Sequence, residues 1–156
     1  MVGLERLITE RAADGVPRVD RPPQIVRAHS MTSAPADSAE TALQVVSRFN
    51  DAFNRHDVPA IMAAMTEDCV FDSTRPPPDG ERLVGQTVVR GFWEGFFARS
   101  PHARFETEEM FASGDRVVVR WVYHWVRDGQ PGHVRGVDLF RVRDGRVAEK
   151  LSYVKG

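Results

Sequence analysis

Apolar residues along this chain fall into two regimes. Up to about residue 38 they are sparse and keep no period; from Ala39 onward they recur first at helical and then at strand spacing. Ala42, Val45, Val46, Phe49 and Phe53 share one helical face, which predicts an amphipathic helix over 40–54, capped by Asp37 or Ser38 with Thr41 early in the helix. In His56-Asp57-Val58-Pro59, Asp57 is a good N-cap and a proline in the first turn forfeits no hydrogen bond. Val58, Ile61, Met62 and Met65 then predict a short second helix, and Cys69-Val70-Phe71 a short strand. The run Arg75-Pro76-Pro77-Pro78-Asp79-Gly80 is a loop, because prolines cannot complete a central ladder; it reads as a stiff surface loop or as the rim of a pocket. Gly85 precedes a third helix with Val89, Phe92, Trp93, Phe96 and Phe97 as its apolar stripe, ended by Ser100-Pro101.

The last third predicts four strands, over 104–112, 116–127, 133–143 and 146–154, separated by turns at Ser113-Gly114-Asp115, at 128–132 and at Asp144-Gly145. Two helices, a strand, a helix and a four-strand meander make an α+β fold, with three N-terminal helices packed on an antiparallel sheet.

Composition narrows the function classes. A chain of 156 residues with 42% hydrophobic and 28% charged positions has the size and make-up of one globular domain. A net charge of -1 argues against a nucleic-acid binder. Cys69 stands alone, so no intramolecular disulfide can form, and the five histidines keep no metal-ligand spacing. Neither a Gly-rich phosphate loop nor a dinucleotide fingerprint is present, so neither metal nor cofactor is expected. No apolar run approaches the roughly 18 residues of a membrane span. Leu4, Leu7 and Ile8 are split by Glu5, Arg6 and Thr9, so no secretory signal core is seen and the expected compartment is the cytoplasm. Residues 1–38, with four of the ten prolines and alternating charges that cancel, are expected to be a disordered or weakly ordered extension holding at most a helical turn pair over 4–12. The extension reads as an arm for a partner, as a segment without a role, or as the product of an upstream start, since Met31-Thr32-Ser33 could begin a chain.

Strand parity selects the candidate chemistry. In 133–143 one face holds Val134, Gly136, Asp138, Phe140 and Val142, so Asp138 sits among apolar residues. A carboxylate there must be hydrogen-bonded or kept as the neutral acid, and a neutral acid can donate to a developing oxyanion. In 116–127, Val117, Val119, Trp121, Tyr123 and Trp125 share a face, while His124 lies on the other. Trp121, Tyr123 and Trp125 with Phe49, Phe53, Phe71, Trp93, Phe96 and Phe140 would line an aromatic cavity for a flat apolar ligand, or simply form a core. Tyr123 alone among them carries a hydroxyl that could orient a ligand or bond Asp138.

Three stretches carry a resemblance: Phe49-Asn50-Asp51-Ala52-Phe53-Asn54-Arg55-His56-Asp57, then Thr66-Glu67-Asp68-Cys69-Val70-Phe71, then Gly136-Val137-Asp138-Leu139-Phe140-Arg141-Val142-Arg143-Asp144-Gly145-Arg146-Val147-Ala148-Glu149. Over about 39–156 the chain resembles the nuclear-transport-factor-2-like superfamily, in its SnoaL-like and ketosteroid-isomerase-like branches. The resemblance implies a cone: a curved sheet around a long helix, one deep pocket for a small molecule, and pairing of two copies through their sheets. It also implies cofactor-free isomerisation, cyclisation or dehydration of an apolar carbonyl compound, or else a non-catalytic module that binds a ligand or a protein.

Asp138 matches the isomerase's oxyanion-hole aspartate, so the resemblance makes it the acid or oxyanion stabiliser. Departures are plain. The isomerase's tyrosine on the first helix is Phe49 here, and its general base falls at Ser73, with Asp72 one residue away and inward only if the register differs. Where many relatives have His-Trp-Asp on the last strand, this chain has Lys150-Leu151-Ser152. If Lys150 and Ser152 face inward, Lys150 could pair with Asp138, hold an anionic ligand or move a proton. The local pattern opposes this, since Val147, Leu151 and Tyr153 form the more apolar face, which reads equally as a dimer contact. The positions that serve limonene epoxide hydrolase are Phe71, Ser73, Trp121, Tyr123 and Ser152 here, which excludes that chemistry.

Overall fold

The computed structural model of the protein describes residues 40–155. The expected extension over 1–38, with its helical turn pair and the Asp37 or Ser38 cap, lies outside the described residues. Helix α1 spans Ala42–Asn54 and starts two residues later than its periodicity suggests, because Thr41 itself is the cap. The Gln44 N–H donates to Thr41 Oγ1 at 3.3 Å while Gln44 Oε1 accepts from the Thr41 N–H at 2.8 Å, a reciprocal capping box. Asp57 caps α2 (Val58–Ala63) by accepting from the Ala60 N–H at 3.0 Å, as its sequence predicts.

Strand β1 (Met65–Asp72) is longer than its three apolar residues suggest, and β2 (Arg82–Val84) was not expected at all. Three residues are too few to carry a period. After α3 (Gln86–Arg99) come β3 (Arg104–Ser113), β4 (Arg116–Arg127), β5 (Gln130–Arg143) and β6 (Arg146–Val154), close to the expected meander. Asp144 and Gly145 both adopt positive φ, 52° and 67°, as a tight hairpin turn requires.

The six strands form one sheet in the order β2-β1-β6-β5-β4-β3. All pairs are antiparallel except β1 with β6, which run parallel. The last strand is therefore internal, between β1 and β5, and its inward side chains meet neighbours from both.

Val45, Val46, Phe49, Ala52 and Phe53 of α1 and Val89, Trp93 and Phe97 of α3 are buried against the sheet. The seam between α1 and the edge strand β3 is pinned by Asn54, whose amide donates to the Phe105 carbonyl and accepts from the Phe105 N–H, both at 2.9 Å. This imitates a ladder rung on an edge that would otherwise lie open. Cys69 is fully buried, and that burial pushes its thiol up, so it acts as a small hydrophobe. Among the described residues no helix is long and apolar enough to cross a membrane.

One glycine sets the shape of the inner face. Gly136 lies opposite Trp121 in the β4–β5 register, and the indole lies directly over it. A Cβ at Gly136 would stand 2.3 Å from that ring and from the Tyr153 carbonyl oxygen on β6. Gly136→Ala is therefore expected to lower stability by about 2 kcal/mol or more, because neither an indole in a packed core nor a strand backbone can yield cheaply. Urea denaturation checks this, and a variant as stable as wild type would show that the contact relaxes.

Candidate active site

The parallel β1–β6 pairing and the antiparallel β6–β5 pairing put Phe71, Lys150 and Phe140 in one row across three strands. The next row inward is Val119, Asp138 and Ser152. Lys150 and Asp138 are thus diagonal neighbours on one face, within reach of a long side chain. Lys150 Nζ lies 2.7 Å from Asp138 Oδ2 and donates to Ser152 Oγ at 2.6 Å. The two charged side chains are only 6% and 5% exposed. The ammonium lies 5.0 Å from the centroid of Phe71 and 5.6 Å from that of Phe140, within cation–π range of both.

The local alternation of β6 pointed Lys150 outward, and a bulge reverses it. Arg141 pairs with Glu149 but Val142 with Val147, so Ala148 is an extra residue on β6. Val147 faces inward before the bulge, and Lys150 and Ser152 face inward after it. Both Val147 and Ala148 are buried as a result.

A cavity of about 10 Å³, room for roughly one water, lies between α1 and this part of the sheet. Phe49, Asn50 and Phe53 line it from α1, and Phe105, Thr107, Val119, Trp121, Asp138 and Lys150 from the sheet. Two polar atoms of the lining side chains are buried without a hydrogen-bond partner among the described residues: Asp138 Oδ1, an acceptor, and Trp121 Nε1, a donor. Thr107 is exposed and Asn50 and Phe105 half-buried, so the cavity reaches the surface along the α1–β3 seam.

The structure brings together Asp138, Lys150 and Ser152, with Phe49, Phe53 and Trp121 around the cavity. It puts several other candidates elsewhere. Asp72 lies on the opposite side of β1 from Phe71, and both its oxygens accept from Arg82 Nη1, at 3.1 and 3.0 Å. Ser73 ties the proline loop together, donating to the Arg75 carbonyl and accepting from the Glu81 N–H. Tyr123 shares a face with Asp138, but it pairs with Val134 whereas Asp138 pairs with Val119. Four residues of strand separate them, roughly 13 Å, too far for a hydrogen bond. Trp125 is two residues further still and rests over Gly132. Trp93 stacks on Phe71 at 4.7 Å and meets Phe53 edge-on at 5.6 Å, while Phe96 packs on Phe53 and Tyr123. These rings fill space that the expected aromatic cavity would have left open. Four lining residues were not expected: Asn50, Phe105, Thr107 and Val119. Val119 was legible from its parity with Trp121; the others depend on how α1 seats against the edge strand.

Helices on one side of a six-stranded mixed sheet, with a cavity between the first helix and the sheet, define an α+β domain of the nuclear-transport-factor-2-like fold. The sequence matches the SnoaL-like domain family over residues 46–150, and the chain belongs to that family. It is similar to an NTF2-like protein of unknown function from Mesorhizobium loti, at 41% identity, covering 79% of this chain and 98% of that one, with a TM-score of 0.66. It is also similar to a "putative polyketide cyclase" from Xanthomonas campestris pv. campestris, at 26% identity, 73% and 90% coverage and a TM-score of 0.60. A protein with a ketosteroid isomerase-like fold from Catenulispora acidiphila, solved with trimethylamine, shares the fold at 18% identity, 72% and 86% coverage and a TM-score of 0.64. None of the curated proteins matches the sequence.

The buried pair makes a stability prediction. Lys150→Met strands an uncompensated carboxylate and is expected to cost roughly 3–5 kcal/mol. Adding Asp138→Leu to that variant should recover most of the loss, because the second change removes the stranded charge. Chemical denaturation of the two single variants and the double variant measures the coupling, and additive effects would contradict a direct buried pair.

Proposed function

We propose that this SnoaL-like domain takes an apolar carbonyl compound into the cavity between α1 and the sheet and moves protons on it without a cofactor, in an isomerisation, cyclisation or dehydration. The observation that carries the reading is Asp138 Oδ1, a buried carboxylate oxygen in the cavity wall whose sister oxygen is held by Lys150. Leaving such an atom unpaired costs on the order of 1–3 kcal/mol, and a ligand that brings it a proton recovers that cost. Oδ1 then accepts the proton next to a carbonyl, and Lys150 Nζ donates to the oxygen on which negative charge develops. This exchanges the roles expected from the sequence, in which Asp138 was the acid or oxyanion stabiliser and Asp72 or Lys150 moved the proton. Asp72, tied to Arg82, and Tyr123, far along β4, take no part in it. The name of the Xanthomonas relative supports the substrate class, since polyketides are rich in ketones. The ligand enters along the α1–β3 seam, and Phe105 and Thr107 give way to it.

A second copy of the chain pairs with the outer face of the sheet. Support comes from an apolar row across four strands, Phe111 opposite Val118, Val118 opposite Leu139 and Leu139 opposite Leu151, with Phe111 54% exposed. A reducing cytoplasm suits this chain, whose one cysteine, Cys69, is buried as a free thiol.

Wild type is expected to gain several degrees of Tm with a flat phenol, and Asp138→Asn to lose most of that gain when each protein is compared with its own unliganded state. Wild type should also speed exchange of α-protons of a flat ketone with D2O, followed by NMR, and Asp138→Asn should slow it by about a hundredfold. No shift with any phenol and no exchange with any ketone would rule the reading out. In light scattering, wild type should run as a dimer and Phe111→Glu as a monomer; a monomeric wild type would count against pairing through the sheet.

A further inference from the structure

We propose that Lys150 is an amine nucleophile that forms an imine with the ketone or aldehyde group of the ligand, with Asp138 as its acid. The inference rests on the preceding reading for its carbonyl ligand and goes beyond it in making the chemistry covalent.

Residue choice is the first observation. The chain carries 21 basic residues, and only Lys150 and Lys155 among them are lysines. Among the described residues, the surface pairs are made by arginine, with one by histidine: Arg48, Arg82, Arg116, Arg120, Arg135, Arg141 and Arg143 all meet carboxylates, and His124 meets Glu106. At the one buried pair among the described residues the chain uses lysine instead. Arginine would hold a carboxylate with a two-pronged fork but never gives up its proton, whereas a lysine amine can become neutral and attack carbon.

Geometry is the second. Lys150 lines the cavity, and its nitrogen lies 2.7 Å from Asp138, which lines it too. It is otherwise enclosed by the rings of Phe71 and Phe140, by Ser152 and by Asp138. Moving one proton across the 2.7 Å contact turns ammonium and carboxylate into amine and acid with no change in net charge. The amine lone pair then forms the C–N bond to the carbonyl carbon, and an amine proton passes to the carbonyl oxygen, giving a carbinolamine. The Asp138 acid protonates its hydroxyl, the C–O bond breaks and water leaves. What remains is a protonated imine on Lys150 facing the Asp138 carboxylate, so charge is neutral before and after. That imine is the electron sink that would make loss of an α-proton easy.

The test is to incubate wild type with 2,4-pentanedione, or with cyclohexanone followed by borohydride, and to map the adducts by peptide mass spectrometry. A 1,3-diketone bound to a reactive amine also gives an enaminone with near-ultraviolet absorbance. Lys155 and the N-terminal amine are the internal controls, so the primary result needs no variant that could fail to fold. Expected are one adduct per chain at Lys150, formed faster than at Lys155, and a loss of about a hundredfold in its rate in Asp138→Asn. Adducts at Lys155 or the N-terminus but not at Lys150 would overturn the inference. α-Proton exchange in D2O without any adduct at Lys150 would overturn it too, while leaving the proton-transfer reading standing. Absence of both would remove the two together.

Discussion

A charged pair taken out of water is the constraint on which the inner face of this domain is built. Asp138 and Lys150 are each almost wholly buried, and neither could stay so without the other. Their meeting requires three separate features. The parallel β1–β6 pairing makes the last strand internal, the antiparallel β6–β5 pairing sets the diagonal contact, and the bulge at Ala148 turns Lys150 inward. Remove any one and a charge is left in an apolar layer. The rings of Phe71 and Phe140 complete the enclosure, giving the ammonium the faces of aromatic rings where water would otherwise be.

Around the pair, packing decides how much room is left. Trp93, Phe71, Phe53 and Phe97 interlock into one aromatic cluster, so the large side chains are spent on each other. The space that survives lies where α1 crosses the edge strand. Asn54 holds Phe105 there by two hydrogen bonds, which fixes the seam while leaving Phe105 itself half-buried. Trp121 lies flat only because Gly136 has no Cβ beneath it, and so one glycine helps set the cavity wall. The site thus combines a rigid polar floor with a rim of half-buried side chains, an arrangement suited to admitting a ligand and then drying it.

Much of the fold was legible because its signals are local. The α1 stripe, the Asp57 cap, the Asp144-Gly145 turn and the alternation of β4 and β5 each specify their element within a few residues. Parity correctly put Asp138 inside and His124 outside. The site was legible only in part. Parity says which face a residue occupies but not how far along the strand it lies, so Tyr123 and Trp125 looked like neighbours of Asp138 when the register puts them about 13 and 20 Å away. A periodic reading of β6 assumed an unbroken strand, and one extra residue inverted it. Asp72 needed an altered register to face inward, and Arg82 on the unexpected strand β2 holds it outside instead.

By itself, then, the sequence determined the element order apart from β2, the α+β class, the family resemblance and the burial of Asp138, because all of these follow from spacing between residues close in the chain. Only the tertiary structure decided that Lys150 is its partner, that the aromatic residues mostly fill the core, and that the cavity opens at the α1–β3 seam. Those outcomes depend on strand order, register and a bulge. They arise from contacts between residues far apart in sequence, and no local period carries them.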